Sequence, residues 1–398
     1  MKHYVIVGNG AAGTNAADQL RRLDAEAKIC MITEEAFPFY SRIRLIDYIA
    51  GDIPKEALVI NKDQWYLNRD IELRLGVRVA SVDSANKRVL TGQNEAFSYD
   101  RLLLATGAHS FMPNISGMEK RGVFTLRNIE DAEAIRSFAD SAQHVVMIGG
   151  GLLGLETGNA LRRLGKKVAV VEFFPRLLPR QLDVPAADLL AGTMTKMGFS
   201  LYLGRKTKEI VGSNQVKGVV LESGETLPAD MVVVSAGVRP NMELAASLKL
   251  RCNKGIEVDE GMRASSPDIY AAGDVAEFKG VLYGIWPAAM EQGKIAGSNM
   301  AGVNAAYEGT TASNQLKVAG IDLAAAGNID PECASESRTF QEDRVYRKFV
   351  FEDNRLVGCI LQGDTRGFQA MLRLIRQKQD VSEYKDDMAL KDFDFNAI

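Results

Sequence analysis

The chain has 398 residues, 46% of them apolar and 25% charged, with a formal net charge of −3. That length exceeds one ordinary core and implies two or three domains of a soluble globular protein. The charge gives no reason to expect nucleic acid or an anionic membrane as partner. No apolar run approaches the roughly 20 residues of a membrane span. The first strand starts too early to leave room for a signal peptide, so a cytoplasmic location is expected.

Tyr4 to Val7 read as a short buried strand, followed by Gly8-Asn-Gly-Ala-Ala-Gly13. The G-x-G-x-x-G spacing divides three tasks. Gly8 permits the tight turn, Gly10 lets a pyrophosphate approach the backbone, and Gly13 lets helix and strand pack closely. An amphipathic helix opening near Ala11 (Ala16, Ala17, Leu20, Leu23) aims unpaired N–H groups and its positive dipole end at the phosphates. The next strand, Lys28 to Glu34, ends in an acid suited to ribose hydroxyls. Together these predict a dinucleotide site.

Further along, Ile43 to Ala50 is expected to be helical, with Gly51 as its C-cap. Glu72-Leu-Arg-Leu and Val77-Arg-Val-Ala are short strand candidates, and Tyr99 to Gly107 is another buried strand. The arrangement then recurs. His144 to Ile148 leads into a second fingerprint on Gly149, Gly151 and Gly154. A helix and a strand ending at Glu172 follow, and Met231 to Gly237 is the counterpart of the Leu102 to Gly107 strand.

Ile269 to Asp274 forms a further short strand ending in Gly-Asp, and Pro287 begins a helix to about Ala301. From about residue 311 the texture changes. Leu316 to Asn328, Val345 to Glu352 and Leu356 to Gln362 look like strands, followed by a helix from Gly367 to Gln379, as in a small α+β domain. Arg373, Arg376 and Lys378 make that helix basic, which suits an ordinary solvated face or, as the alternative, a surface that meets an acidic partner. Residues 386–398 are charged and aromatic and suit either docking or packing. The four cysteines, at 30, 252, 333 and 359, include no C-x-x-C pair, and the three histidines are scattered. No metal site is expected.

On Gly8-Asn-Gly-Ala-Ala-Gly13, Ala105-Thr-Gly107, Thr125-Leu-Arg127, Gly149-Gly-Gly-Leu-Leu-Gly-Leu-Glu156, Gly237-Val-Arg-Pro-Asn241 and Ala272-Gly-Asp274, the chain resembles the FAD-dependent pyridine-nucleotide-disulfide oxidoreductase superfamily. More narrowly, it looks like the group containing NADH:rubredoxin oxidoreductases and the flavin module of NAD(P)H nitrite reductase. The resemblance implies an α/β protein of glutathione-reductase-like fold, with two Rossmann-like dinucleotide-binding domains and a small C-terminal α+β domain. The FAD domain would be 1–112 plus 240–310, the NAD domain 113–239, and the C-terminal domain 311–398.

It also implies site roles. FAD would be held by Gly8, Asn9, Gly10, Ala12, Gly13, Glu34, Arg42, Val79, Ala105, Thr106, Gly107, Gly273 and Asp274. NADH would be held by Gly149, Gly151, Leu153, Gly154, Glu156, Glu172 and Gly237. Glu156 would stand at the nicotinamide or flavin edge as the catalytic candidate, although Asp47 occupies the place where relatives carry its lysine partner. Glu172 favours NADH, because a carboxylate repels the 2′-phosphate of NADPH. Arg176 lies close enough in sequence to oppose that preference.

Positions 41 to 50 lack the thiol that disulfide reductases place after the first acid. Electrons are therefore expected to pass from NADH through flavin directly to an iron–sulfur carrier, such as a rubredoxin, a ferredoxin or a cognate subunit. Two alternatives stay open: an NADH oxidase or diaphorase reducing O2 or quinones, and a non-catalytic flavin-containing scaffold. The sequence leaves a homodimer and a place in a larger complex equally open.

Overall fold

The computed structural model describes residues 1–318, 320–330, 332–333 and 335–395, with the side chains of 316–318 set aside. The chain divides into two compact units. One comprises residues 1–44, 53–109 and 238–310, and the other residues 45–52, 110–237 and 311–398.

The first unit is built on a five-stranded parallel sheet in the order Ile269–Ala271, Arg101–Leu104, His3–Val7, Lys28–Ile32, Ile71–Arg74. Four of these runs are largely apolar, as a sheet covered on both faces requires, whereas the edge strand Ile71–Arg74 alternates apolar and charged residues. His3–Val7 is central, and the helix Ala11–Leu23 returns the chain to its neighbour. A second helix, Trp286–Ala301, lies against the first with backbones in close approach. A Cβ on Gly293 would stand 2.2 Å from the Ala12 carbonyl oxygen, and one on Gly297 2.7 Å from that of Ala16. Pro287 occupies the first turn of this helix, and Gly302, at φ 92°, ends it.

The second unit repeats the design. Its parallel sheet runs Ser200–Leu203, Lys167–Glu172, His144–Ile148, Met231–Val234, Val123–Thr125. Each unit adds a three-stranded antiparallel meander: Val79–Asp83, Arg88–Thr91 and Ala96–Ser98 in the first, and Thr207–Val211, Gly218–Leu221 and Thr226–Pro228 in the second. The repeat read from the two glycine fingerprints thus extends to an element that the fingerprints do not contain.

Residues from 313 form a five-stranded antiparallel sheet in the order Ser313–Val318, Ile321–Gly327, Arg355–Gln362, Val345–Glu352, Glu336–Glu342, with the helix Phe368–Gln377 packed on one face. The stretch expected as strand from Leu316 to Asn328 is two antiparallel strands. Glu336–Glu342 was not anticipated, because this edge strand is polar and largely exposed. The expected strand at Val77 starts instead at Val79. Gly76 turns at φ 67°, and the Val77 N–H donates to the Thr33 carbonyl oxygen at 2.9 Å.

The tail packs. Phe395 is buried, its ring centroid lies 6.0 Å from that of Phe349, and it covers Gly367. Residues 396–398 of that stretch lie outside the described residues. Among the described residues no helix is long and apolar enough to cross a membrane.

Candidate functional site

The first cradle follows the strand His3–Val7. Gly8 has φ 111°, and a Cβ there would stand 2.1 Å from the Ala105 carbonyl oxygen. A Cβ on Gly13 would meet the Gly8 oxygen at the same distance. Both are excluded to any other residue by backbone atoms that cannot yield. Gly10 differs, because a Cβ there has nothing within 4 Å, so the space beside it is open. Gly10 is also the N-cap of the helix Ala11–Leu23, whose leading N–H groups have no intrahelical partner. Asn9 is buried; its Oδ1 accepts from Tyr66 Oη at 3.0 Å and from Thr14 Oγ1 at 3.3 Å, while its Nδ2 is unpartnered.

Gly273 reaches the same place from the other edge of the sheet. It has φ 85°, its N–H donates to Gln292 Oε1 at 2.8 Å, and a Cβ would stand 3.0 Å from that of Ala12. Ala12, Gly273 and Asp274 are thereby brought to the first turn of the fingerprint helix. Ala105 contributes its main chain to the Gly8 contact. Thr106 Oγ1 donates to the Asn241 carbonyl oxygen at 2.9 Å, Asn241 Nδ2 donates to the Thr106 carbonyl oxygen at 2.8 Å, and its N–H donates to the Gly107 oxygen at 3.0 Å. Val79 is buried at the start of its meander.

The acid of this cradle is less simple than its sequence position suggests. Gly8 donates to the Ile32 oxygen and Gly149 to the Val171 oxygen, both at 2.8 Å. Thr33 is therefore the register equivalent of Glu172, and Glu34 lies one residue beyond it. The Glu34 side chain is 64% exposed, 3.9 Å from Arg78. Its neighbour Glu35 is 21% exposed and pairs with Arg42. Glu35, Tyr40 and Tyr66 were not singled out from the sequence, and Asn241 entered only as the end of a motif, without a role. The adjacent acids at 34 and 35 were the signal that one of them had a separate task.

The second cradle repeats the geometry. A Cβ on Gly149 would stand 2.2 Å from the Ser235 oxygen and one on Gly154 2.4 Å from the Gly149 oxygen, while Gly151 faces open space. Gly151 is the N-cap of the helix Leu152–Arg163, and Leu153 lies partly exposed in its first turn. The buried Glu172 carboxylate accepts from the Gly150 N–H at 2.5 Å and from the Phe174 N–H at 2.8 Å. Phe173 and Phe174 are exposed beyond it, with Lys206 Nζ 5.2 Å from the Phe173 ring. Arg176 turns to Glu332 at 3.3 Å. Gly237 has φ 96° and open space around it.

Glu156 lies one turn into the same helix. Burial, with the Asp47 carboxylate adding repulsion, raises its pKa to about 7. Asp47 belongs to the helix Leu45–Ala50, which packs against the helix of Glu156. Thr157, next in the chain, buries an unpartnered hydroxyl oxygen.

Two strand–glycine–helix cradles, each with open space at its middle glycine and unpaired helix N–H groups facing it, define a protein built for two dinucleotides. The buried unpartnered Asn9 amide and the space beside Gly10 fit a flavin dinucleotide in the first cradle. Residues 2–293 match the pyridine nucleotide-disulphide oxidoreductase family, and residues 313–379 match the rubredoxin NAD+ reductase C-terminal domain. The chain is 36% identical over 96% of its length to a nitrite reductase [NAD(P)H] of Bacillus subtilis, of which it spans 48%. It is 33% identical over 91% of its length to an NADH oxidase of Methanocaldococcus jannaschii, covering 88% of that protein. The crystal structure of a ferredoxin reductase from Rhodopseudomonas palustris superposes with a TM-score of 0.92 at 27% identity, covering 100% of this chain and 99% of that one. The chain belongs to the pyridine nucleotide-disulphide oxidoreductase family, oxidoreductases that work with FAD and NADH.

Proposed function

We propose that this chain oxidises NADH and delivers the electrons to an iron–sulfur carrier or subunit without a thiol relay. The observation that carries this reading is where the sulfur lies. Cys30 is buried in the strand Lys28–Ile32, with its thiol pushed up to about 12 by burial. Cys359 is buried in the C-terminal sheet and likewise raised to about 12. Burial also raises Cys252, and Cys333 lies beyond residue 311. The segment 41–50 holds no cysteine. The match of residues 313–379 to the rubredoxin reductase C-terminal domain supports an iron–sulfur acceptor.

In this reading residues 1–112 and 240–310 hold FAD, residues 113–239 hold NADH, and residues 311–398 form the third domain. FAD, when bound, supplies a ring that accepts a hydride from NADH and releases electrons onward. The chain's own residues orient and select. The first cradle and Gly273–Asp274 hold the flavin dinucleotide, the second cradle holds the nicotinamide dinucleotide, and Glu172 selects against a 2′-phosphate. The Glu172 carboxylate is ordered by two main-chain N–H groups and keeps further lone pairs for ribose hydroxyls. Glu156, with a pKa near 7, can hold or release a proton at its carboxylate around neutral pH.

Rapid mixing of NADH-reduced protein with rubredoxin, ferredoxin and O2 tests this reading. Fast reoxidation by an iron–sulfur protein is expected. Fast reoxidation by O2 and none by either carrier defeats it. That outcome would favour the second reading, an NADH oxidase, which the match over 88% of the archaeal NADH oxidase supports.

A further inference from the structure

The segment after the first acid contains a closed ring of polar contacts that the motifs do not account for. Tyr40 Oη donates to Glu35 Oε2 at 2.5 Å and accepts from Arg42 Nη1 at 2.9 Å, and Arg42 Nη2 pairs with Glu35 Oε1. Three side chains therefore restrain one another at both ends of the guanidinium. The ring is tied to the fingerprint turn: the Phe39 N–H donates to Tyr66 Oη at 3.1 Å, and Tyr66 Oη donates to Asn9 Oδ1 at 3.0 Å. From the other edge, the Phe39 ring lies 5.5 Å from that of Trp286, the first residue of the helix Trp286–Ala301.

Asp274 completes the electrostatics. Burial opposes the Arg42 charge, but Tyr40, Glu35 and Asp274 together outweigh it and hold the guanidinium above its ordinary pKa. Arg42 is thus a permanent cation, held by a two-point carboxylate–phenol clamp, within the field of the acid beside the first cradle. A flexible arginine loses side-chain entropy when it is ordered on a phosphate or a flavin ring. One already held in place loses less, and an ionised partner makes the holding bonds stronger than neutral ones.

We propose that Glu35 and Tyr40 are positioning residues for Arg42 in flavin binding, and that Glu35, not Glu34, is the acid of this turn on which flavin affinity chiefly depends. The inference rests on the reading of the first cradle as the FAD site. Glu34 serves as the internal control, because it is adjacent, identical in chemistry, largely exposed and outside the ring.

The test is FAD titration of flavin-free protein by fluorescence quenching, together with the visible spectrum of the refilled protein. The proteins are wild type, Glu35→Gln, Glu35→Asp, Tyr40→Phe, Glu34→Gln and Arg42→Lys. Glu35→Gln and Tyr40→Phe are each expected to weaken FAD binding by about tenfold, as loss of a charge-assisted contact does, and to shift the visible flavin band as Arg42 moves. Glu35→Asp restores part of the affinity. Glu34→Gln stays within about twofold of wild type, and Glu35→Gln adds little in the Arg42→Lys background, since it acts through Arg42. Affinity losses with the same band shape and the same loss in the Arg42→Lys background would show a merely structural role and overturn the inference. So would a larger loss in Glu34→Gln than in Glu35→Gln. Failure of the wild-type protein to take up FAD would instead remove the cofactor reading on which the inference stands.

Discussion

Glu172 closes its strand by accepting the main-chain N–H of Gly150 at 2.5 Å, which fixes the acid against the turn that would hold the second dinucleotide. A carboxylate anchored there cannot swing aside for a phosphate. Two charges about 4 Å apart at an effective dielectric near 20 interact by roughly 4 kcal/mol. With screening by solvent around an incoming phosphate, about 1.4–3 kcal/mol is expected to remain, a tenfold or larger preference for NADH. Glu172→Gln is expected to reduce the ratio of kcat/KM for NADH over NADPH by about tenfold, chiefly through KM. Steady-state kinetics with both nucleotides measure this, and an unchanged ratio would remove Glu172 from the selection.

The middle glycines separate folding from binding. Gly10→Ala and Gly151→Ala put a methyl group into open space. Each is expected to fold with a Tm within about 2–4 °C of wild type. Gly10→Ala loses flavin uptake, whereas Gly151→Ala keeps the yellow protein but raises KM for NADH. Gly8→Ala, with its Cβ 2.1 Å from the Ala105 oxygen, yields little folded protein. Circular dichroism melts alongside flavin content distinguish the three.

Glu156 gives the pH dependence a sign. Its pKa is raised to about 7 by burial and by Asp47, so between pH 4.5 and about 7 the folded chain holds this proton better than the unfolded chain does. Stability from this group is fully present below pH 4.5 and is lost as pH rises through 7, by at most about 3 kcal/mol. Glu156→Gln should flatten that slope and make the protein relatively more stable at pH 8. Asp47→Asn should move the transition to lower pH. Urea midpoints at pH 5, 6, 7 and 8 check both, and a Glu156→Gln slope parallel to wild type would contradict the assignment.

Lys348 is fully buried 3.4 Å from Asp183, which also accepts from Tyr346 Oη at 2.6 Å and caps the helix Val184–Lys196 through the Ala186 N–H. Lys348→Met strands the Asp183 charge and should cost about 3–5 kcal/mol. Combining it with Asp183→Asn should recover part of that loss, because the two residues are directly coupled. Urea denaturation of the two single variants and the double variant measures the coupling, and simple additivity would refute it.

The two glycine turns, the acid that ends the second unit's strand, the closing strands and the proline that opens the helix Trp286–Ala301 were legible in the sequence. Each depends on local backbone chemistry: a glycine where φ is positive or another backbone passes within contact, an apolar run where both sheet faces are covered, and a proline where a helix starts. Such requirements act over a few residues and leave their mark in the order of amino acids. The edge strand Glu336–Glu342 left no such mark, since an exposed edge has no apolar face to reveal it.

Only the tertiary structure separated Glu34 from Glu35, which are identical in type and adjacent in sequence. One is exposed, while the other is captured by Tyr40 and Arg42. It alone buried Lys348 beside Asp183 and showed that burial, with repulsion from Asp47, raises the pKa of Glu156. The free energy of a charged side chain is set by the dielectric around it and the charges that long-range packing brings near, and neither is a property of the residue's neighbours in sequence.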